Sequence, residues 1–200
     1  IPFLKSILLE KSQIKLEELH KVYKKYNSFV MKPVSSGSSF GVKFFYSIQD
    51  IEIFFLNYQN EIKVYENHNK IMIEKNIQGR ELTVGVFENK NISESMEVTE
   101  IISKNSFYDY DAKYIKGLSK HIIPAKLPKN IYEKCLHYAK TVHDKLGCRG
   151  LSRSDFIYDE EKIYFLEINS QPGLTSTSLV PEQLKYKNMN FDILIKKIIE

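Results

Sequence analysis

The segment RSDFIYDEEKIYFLEINSQPG, residues 153–173, constrains this chain more than any other. Two apolar runs flank a charged turn, which predicts a β-hairpin. Three polar side chains interrupt the runs: Asp155, Glu167 and Asn169. Residues two apart in a strand share a face, so Arg153 points with Asp155 and Glu167 with Asn169. Whether the two pairs meet depends on the turn. An odd-numbered connection, 159–163 or 160–162, sets Asp155 opposite Glu167 and gathers all four polar groups on one face. A two-residue turn puts the carboxylates on opposite faces. Gathered, two carboxylates and an amide oxygen suit Mg²⁺, a hard cation that completes its octahedron with water and phosphate oxygens. Arg153 beside them can balance negative charge on a phosphoryl group in transfer. The competing reading is an Arg–carboxylate network in a half-exposed sheet, which needs no ligand.

Apolar periodicity divides the rest of the chain into alternating strands and helices. Residues 3–9, 28–34, 42–46, 70–75, 81–87 and 97–102 read as strands. Residues 14–26 read as a helix with Leu19, Val22, Tyr23 and Tyr26 on one stripe. Ser47 and Asp50 form a capping box that opens a second helix, with Ile51, Phe54, Phe55 and Tyr58 facing inward. Asn130 and Glu133 read as another capping box. It opens a helix to Leu146, with Ile131, Cys135, Tyr138, Val142 and Leu146 inward and Gly147 as its stop. After the hairpin, QPGLTSTSLVPEQL reads as turns, and a last helix starts near Asn190. The fold class is α+β, with one subdomain over 1–83 and a second over 84–200. A polar stretch over about 103–123 is long for a loop inside a compact domain, and such loops are usually functional.

Composition excludes several classes. The chain of 200 residues is 42% apolar and 27% charged, the balance of an ordinary globular protein that can bury a core. The net charge of +4 is spread along the chain, not gathered into a basic stripe, so no nucleic-acid partner is expected. No apolar run reaches the roughly 20 residues that span a bilayer, no signal peptide is read, and a cytoplasmic location is expected. Cys135 and Cys148 lack CxxC spacing and read as packing residues in a reducing compartment. His137 and His143, at i and i+6, do not share a helix face, and no zinc site is expected.

Other residues gain weight beside the hairpin. Loop 35–41, SSGSSFG, can wrap backbone N–H groups around phosphates, although many hairpins carry such turns. Lys32 sits among apolar neighbours just before it, either snorkelling at a sheet edge or aimed at a phosphate. Glu74 and Glu81 can serve a nucleotide's ribose or be plain surface charge. Lys113 and Tyr114 lie in the long polar stretch.

The order of VMKPVSSGSSFGV, IEKNIQGRELTV, FYDYDAKY, GCRGLSRSDFI and LEINSQPGLTSTSLVP resembles the D-alanine–D-alanine ligases of the ATP-grasp superfamily. The resemblance runs through nearly the whole chain and implies two α+β subdomains gripping ATP. It implies a ligase of peptidoglycan precursor synthesis that uses ATP and Mg²⁺ or Mn²⁺. ATP phosphorylates one D-alanine, and the amine of a second attacks the D-alanyl phosphate. By the same resemblance, Lys32 and Lys113 match phosphate-binding lysines. Glu74, Lys75 and Ile77 match the adenine hinge, and Glu81 the ribose carboxylate. Asp155, Glu167 and Asn169 match the metal ligands. Arg153 and the Gly173 N–H match the groups that stabilise the oxyanion. Ser178 and Leu179 match the seat of the second D-alanine's carboxylate. Ser38 and Tyr114 match a hydrogen-bonded pair that ties the lid loop, 103–123, over the site. Tyr114 and SLVP are similar to dipeptide ligases and not to the D-lactate-using relatives.

The family's N-terminal domain has no counterpart in this sequence. It carries a glutamate for the first D-alanine and a lysine that touches ATP. The expectation is therefore a chain inactive, or nearly so, without that domain; the resemblance leaves room for a homodimer. Two alternatives stand beside the ligase: another ATP-grasp ligase of a different acid and amine, and a fragment that binds nucleotide without catalysis.

Overall fold

A computed structural model describes residues 1–35, 37, 39–103, 119–175 and 177–199. The chain forms two compact units, Leu4–Ile77 and a larger one made of Ile1–Phe3 with Gln78–Glu200. The division falls just before the strand at Arg80–Asn89, ahead of the 83/84 boundary expected from sequence, because that whole strand pairs within the larger unit.

The smaller unit is an antiparallel sheet of β1 (Ser6–Glu10), β2 (Phe29–Pro33), β3 (Lys43–Phe45) and β4 (Lys70–Lys75), in the order β1-β4-β2-β3. Alternation along β2 and β4 buries Phe29, Met31, Ile71 and Ile73 on one face. Against them pack Leu19 and Val22 of α1 (Leu16–Tyr26) and Ile51 and Phe54 of α2 (Ile48–Leu56). Burying such a side chain contributes about 1.5–3 kcal/mol each. The capping box of α2 forms as expected: Asp50 N donates to Ser47 Oγ at 3.2 Å, and Ser47 N to Asp50 Oδ2 at 2.8 Å. A one-turn helix, α3 (Tyr58–Glu61), follows. The Tyr65 hydroxyl donates to the Gly41 carbonyl at 2.7 Å and holds the end of the loop after β2.

The larger unit is an antiparallel sheet of β5 (Arg80–Asn89), β6 (Ile92–Ser103), β7 (Ser119–Ile122), β8 (Leu151–Tyr158) and β9 (Ile163–Asn169), ordered β7-β6-β5-β8-β9. One face carries Leu82, Val84, Val98 and Phe156 against Ile131, Cys135 and Ala139 of α4 (Lys129–Lys145). Part of the other face, around Phe87 and Leu151, is covered by Val180 and Leu184 of α5 (Leu179–Tyr186) and Leu194 of α6 (Phe191–Ile199).

Several sequence expectations shift. Strand β6 begins at Ile92, not 97, because Lys90 and Asn91, with φ of 49° and 64°, form a two-residue turn of the kind that matches strand twist. The Asn130–Glu133 capping box does not form. Pro128 is the N-cap without a side-chain cap, so Asn130 already lies inside the helix. Leu146 is 63% exposed, because the helix stops at Lys145 and turns away through Gly147 at φ 66°. The segment read as turns contains α5, whose Pro181 is tolerated in a first turn where its missing N–H has no intrahelical partner to lose. Part of the expected 103–123 loop is β7, paired with β6; residues 104–118 lie outside the described residues.

Candidate active site

The hairpin reaches the four-residue cluster by a route the sequence does not announce. Tyr158 pairs with Ile163, Ile157 with Tyr164 and Phe156 with Phe165. The turn is therefore residues 159–162, an even count, held by Asp159 Oδ1 accepting the N–H of Glu161 at 3.0 Å and of Lys162 at 2.7 Å. Continued flush, that ladder would set Asp155 opposite Leu166. Instead the register shifts between Asp155 and Phe156, Leu166 is left as the extra residue, and Asp155 pairs with Glu167 and Arg153 with Asn169. The expected odd connection is corrected, while the facing pairs it was meant to produce are present.

On the other side of β8, Thr83 of β5 stands opposite Asp155 and Gly85 opposite Arg153. Arg153 clasps Asp155 with both ends of its fork, Nε to Oδ1 at 2.9 Å and an Nη to Oδ2 at 2.8 Å. Thr83 Oγ1 donates to the same Oδ1 at 2.6 Å. A carboxylate oxygen has two lone pairs. Asp155 Oδ1 is thus saturated, and Oδ2 retains one. Asn169 Oδ1 accepts the Gln171 N–H at 3.0 Å and also retains one. Glu167 is exposed and makes no hydrogen bond or ion pair among the described residues. Arg153 and Asp155 neutralise each other, so Glu167 gives the row its negative charge. Three hard oxygens on a negative sheet face fit a divalent cation that takes oxygen ligands. Among the described residues no group of three His, Cys, Asp or Glu side chains could hold a metal; this donor set is two carboxylates and an amide.

Gly173 and Ser178 also come together. A Cβ on Gly173 would lie 2.8 Å from Ser178 Oγ. Ser178 is the N-cap of α5, but its hydroxyl turns back to Thr175, accepting that residue's N–H at 3.2 Å and meeting its Oγ1 at 2.8 Å. It therefore leaves the first-turn N–H groups of the helix without a side-chain cap. Leu179, the first helical residue, is buried.

In the smaller unit, Lys32 and Glu74 form an ion pair at 2.6 Å on the sheet face opposite the core, with 23% and 13% of the side chains exposed. Val30 pairs with Glu74 and Lys32 with Met72, so the two charges sit diagonally across β2 and β4. Lys75, exposed, ends β4, and the Asn76 N–H donates to the Ser28 carbonyl at 3.1 Å before half-buried Ile77. Glu81 is half-buried near the start of β5, in the larger unit. Beside it, Arg80 binds Glu100 through two bonds of 2.7 and 2.6 Å and the Lys126 carbonyl at 2.9 Å. Ser38, Lys113 and Tyr114 lie outside the described residues.

Thr83, which bonds Asp155, and Gln183, which bonds Thr83 and Gly85, are both fully buried and were not singled out from the sequence. A threonine among valines in ELTVGV carried the only signal. Gln183 carried none, because its helix was read as turns.

The profile of the family described as D-ala D-ala ligase C-terminus matches residues 1–200. A D-alanine–D-alanine ligase of Rhodospirillum rubrum is 41% identical over 172 residues, covering 86% of this chain and 54% of the relative. A crystal structure of the Bacillus anthracis D-alanine–D-alanine ligase superposes with a TM-score of 0.76 at 29% identity, covering 100% of this chain and 61% of that one. The same organism's ligase complexed with ATP gives 0.73 at 26%, covering 100% of this chain and 60% of that one. The chain spans about half the length of the curated relatives it matches. No helix among the described residues is long and apolar enough to cross a membrane. The α+β fold is that of the ATP-grasp ligases, and the chain belongs to the D-alanine–D-alanine ligase C-terminal family.

Proposed function

We propose that this chain is the nucleotide- and metal-binding part of a cytoplasmic ligase that joins two D-alanines at the expense of ATP, for peptidoglycan precursors. The observation that carries the reading is the row of Arg153, Asp155, Glu167 and Asn169 on one sheet face, in a chain matched by the family along its whole length.

Asp155 Oδ2, Glu167 and Asn169 Oδ1 are the oxygens that would hold Mg²⁺. When bound, the ion neutralises charge on the transferring phosphoryl group. Lys32 is held beside Glu74 and can turn from that pair to a phosphate oxygen; Lys75, Ile77 and Glu81 supply hinge and ribose contacts, and Lys113 a second phosphate contact. Arg153, kept in place by Asp155, stabilises the oxyanion with the Gly173 N–H as the second D-alanine's amine attacks the acyl phosphate. The uncapped N–H groups after Ser178 receive that substrate's carboxylate, together with Leu179. Ser38 and Tyr114 close a lid that keeps water from the acyl phosphate.

The test is phosphate release from Mg²⁺-ATP by the full-length protein that carries this chain, with D-alanine, D-serine, D-lactate or no acceptor. Release that requires D-alanine is expected. Release indifferent to D-alanine, or driven by a different acid and amine, overturns the substrate assignment.

A further inference from the structure

Among the described residues, helix α5 reaches the polar face of the five-stranded sheet through two polar side chains: Glu182, whose Oε2 meets His121 Nδ1 of β7 at 2.6 Å, and Gln183. Gln183 is completely buried. Its Oε1 accepts the Gly85 N–H at 2.9 Å, and its Nε2 donates to Thr99 Oγ1 at 2.9 Å and to the Thr83 carbonyl at 3.3 Å. Both ends of the amide are therefore used, and they fix its orientation.

The residues it grips are not arbitrary. Gly85 is the β5 partner of Arg153, and Thr83 is the β5 partner of Asp155. Thr83 faces two ways: its carbonyl accepts from Gln183, and its hydroxyl donates to Asp155 Oδ1 at 2.6 Å. The β5–β6 register shifts between Val84 and Val86, at Gly85 itself. The missing side chain there makes the approach possible, since a Cβ on Gly85 would lie 2.9 Å from Gln183 Oε1 and 2.9 Å from Met96 Sδ. Gln183 lies one helical turn beyond Leu179, so whatever fixes Gln183 fixes the start of α5.

We propose that Gln183 is a positioning residue that sets the N-terminus of α5, with Ser178 and Leu179, against the Arg153–Asp155 pair. In the ligase this holds the acceptor's carboxylate at the distance that brings its amine onto the acyl phosphate. The proposal rests on the functional reading above. Apolar packing of Val180 and Leu184 keeps α5 on the sheet, but it does not fix the helix along its axis; directional bonds do, from Glu182 to His121 at the β7 edge and from Gln183 to two consecutive same-face residues of β5 beside the Arg153–Asp155 pair.

The test uses Gln183→Met, which keeps volume and removes the bonds, and Gly85→Ala, which presses on the same contact from the strand side. The added methyl of Gly85→Ala meets only the far ends of two flexible side chains, so this variant decides if Gln183→Met fails to fold. In the full-length protein, the KM for the acceptor D-alanine should rise at least about tenfold while the KM for ATP stays within about twofold. Unchanged KM values, with lost activity accounted for by the unfolded fraction, overturn the proposal. Amide hydrogen exchange gives an independent reading. Faster exchange is expected at Gly85 and in the first turn of α5 together, and faster exchange at Gly85 alone also overturns it. If the unaltered protein shows no D-alanine-dependent phosphate release, the substrate reading fails, and hydrogen exchange still decides whether Gln183 positions the helix.

Discussion

Asp155 stands opposite Glu167 because Leu166 is left out of the ladder between them. The two carboxylates share a sheet face but not an environment. Asp155 is clasped by Arg153 and Thr83, while Glu167 is exposed. Their replacements should therefore separate. Glu167→Gln should weaken Mg²⁺-dependent ATP binding by at least about tenfold and move the melting temperature by less than about 2 °C, as surface substitutions do. Asp155→Ala removes both carboxylate bonds from the Arg153 guanidinium in a pair only 15% and 19% exposed and should cost about 2–4 kcal/mol, read from urea unfolding. Equal losses of stability from the two variants would show that Glu167 is a structural member of the network.

Gly79 and Gly173 both lie close to other atoms, with different consequences. A Cβ on Gly79 would sit 2.5 Å from the Tyr158 carbonyl oxygen and 2.8 Å from Ile157 Cγ2. Backbone cannot rotate aside, so Gly79→Ala should cost about 1–3 kcal/mol as overpacking. On Gly173 the added methyl meets the Ser178 hydroxyl, which can turn away. Gly173→Ala should cost less than about 1 kcal/mol. Denaturant midpoints of the two variants, compared with the parent, check the ranking.

His143 should make stability depend on pH. The ring is buried, its Nδ1 meets Ser152 Oγ at 2.7 Å, and its Nε2 is 3.9 Å from Glu88. Burial pulls its pKa below the ordinary 6.5, against the opposing pull of Asp144 and Glu88, while Lys140 adds to the lowering. The fold thus favours the neutral ring, and the unfolded chain takes up a proton first as the pH falls. This contribution is complete above about pH 6.5 and is lost as the pH drops through the folded value. Urea unfolding at pH 7.5 and 5.5 should show a larger loss for the parent than for His143→Gln. Parallel losses would assign the pH dependence to other groups.

Much of this was legible in the sequence because local signals agreed with the fold. Phe29, Met31, Ile71 and Ile73 alternate as strand residues with one buried face, and Ser47 with Asp50 marks a helix start that forms as written. The polar residues of the last hairpin marked the row that the sheet brings together, and the order of motifs around them pointed to the family. What stayed hidden was non-local. Nothing in FLEIN distinguishes a flush strand from one that bulges at Leu166. The helix at Leu179–Tyr186 follows a Gly/Ser/Thr-rich run and contains a proline, so local composition argues for turns. Tertiary packing of Val180 and Leu184 decides otherwise. Gln183 could be recognised only once its strand partners were in place.

The facing carboxylates depend on parity. The even turn and the extra residue are each a half-period slip, and together they cancel. Removing Leu166 alone would leave a flush ladder with Asp155 still across from Glu167. Drawing Leu166 into the ladder while the four-residue turn persists would set Asp155 across from Leu166 and send Glu167 to the other side of the sheet. The hairpin can thus lose its extra residue and keep its chemistry, but it cannot keep that residue and straighten.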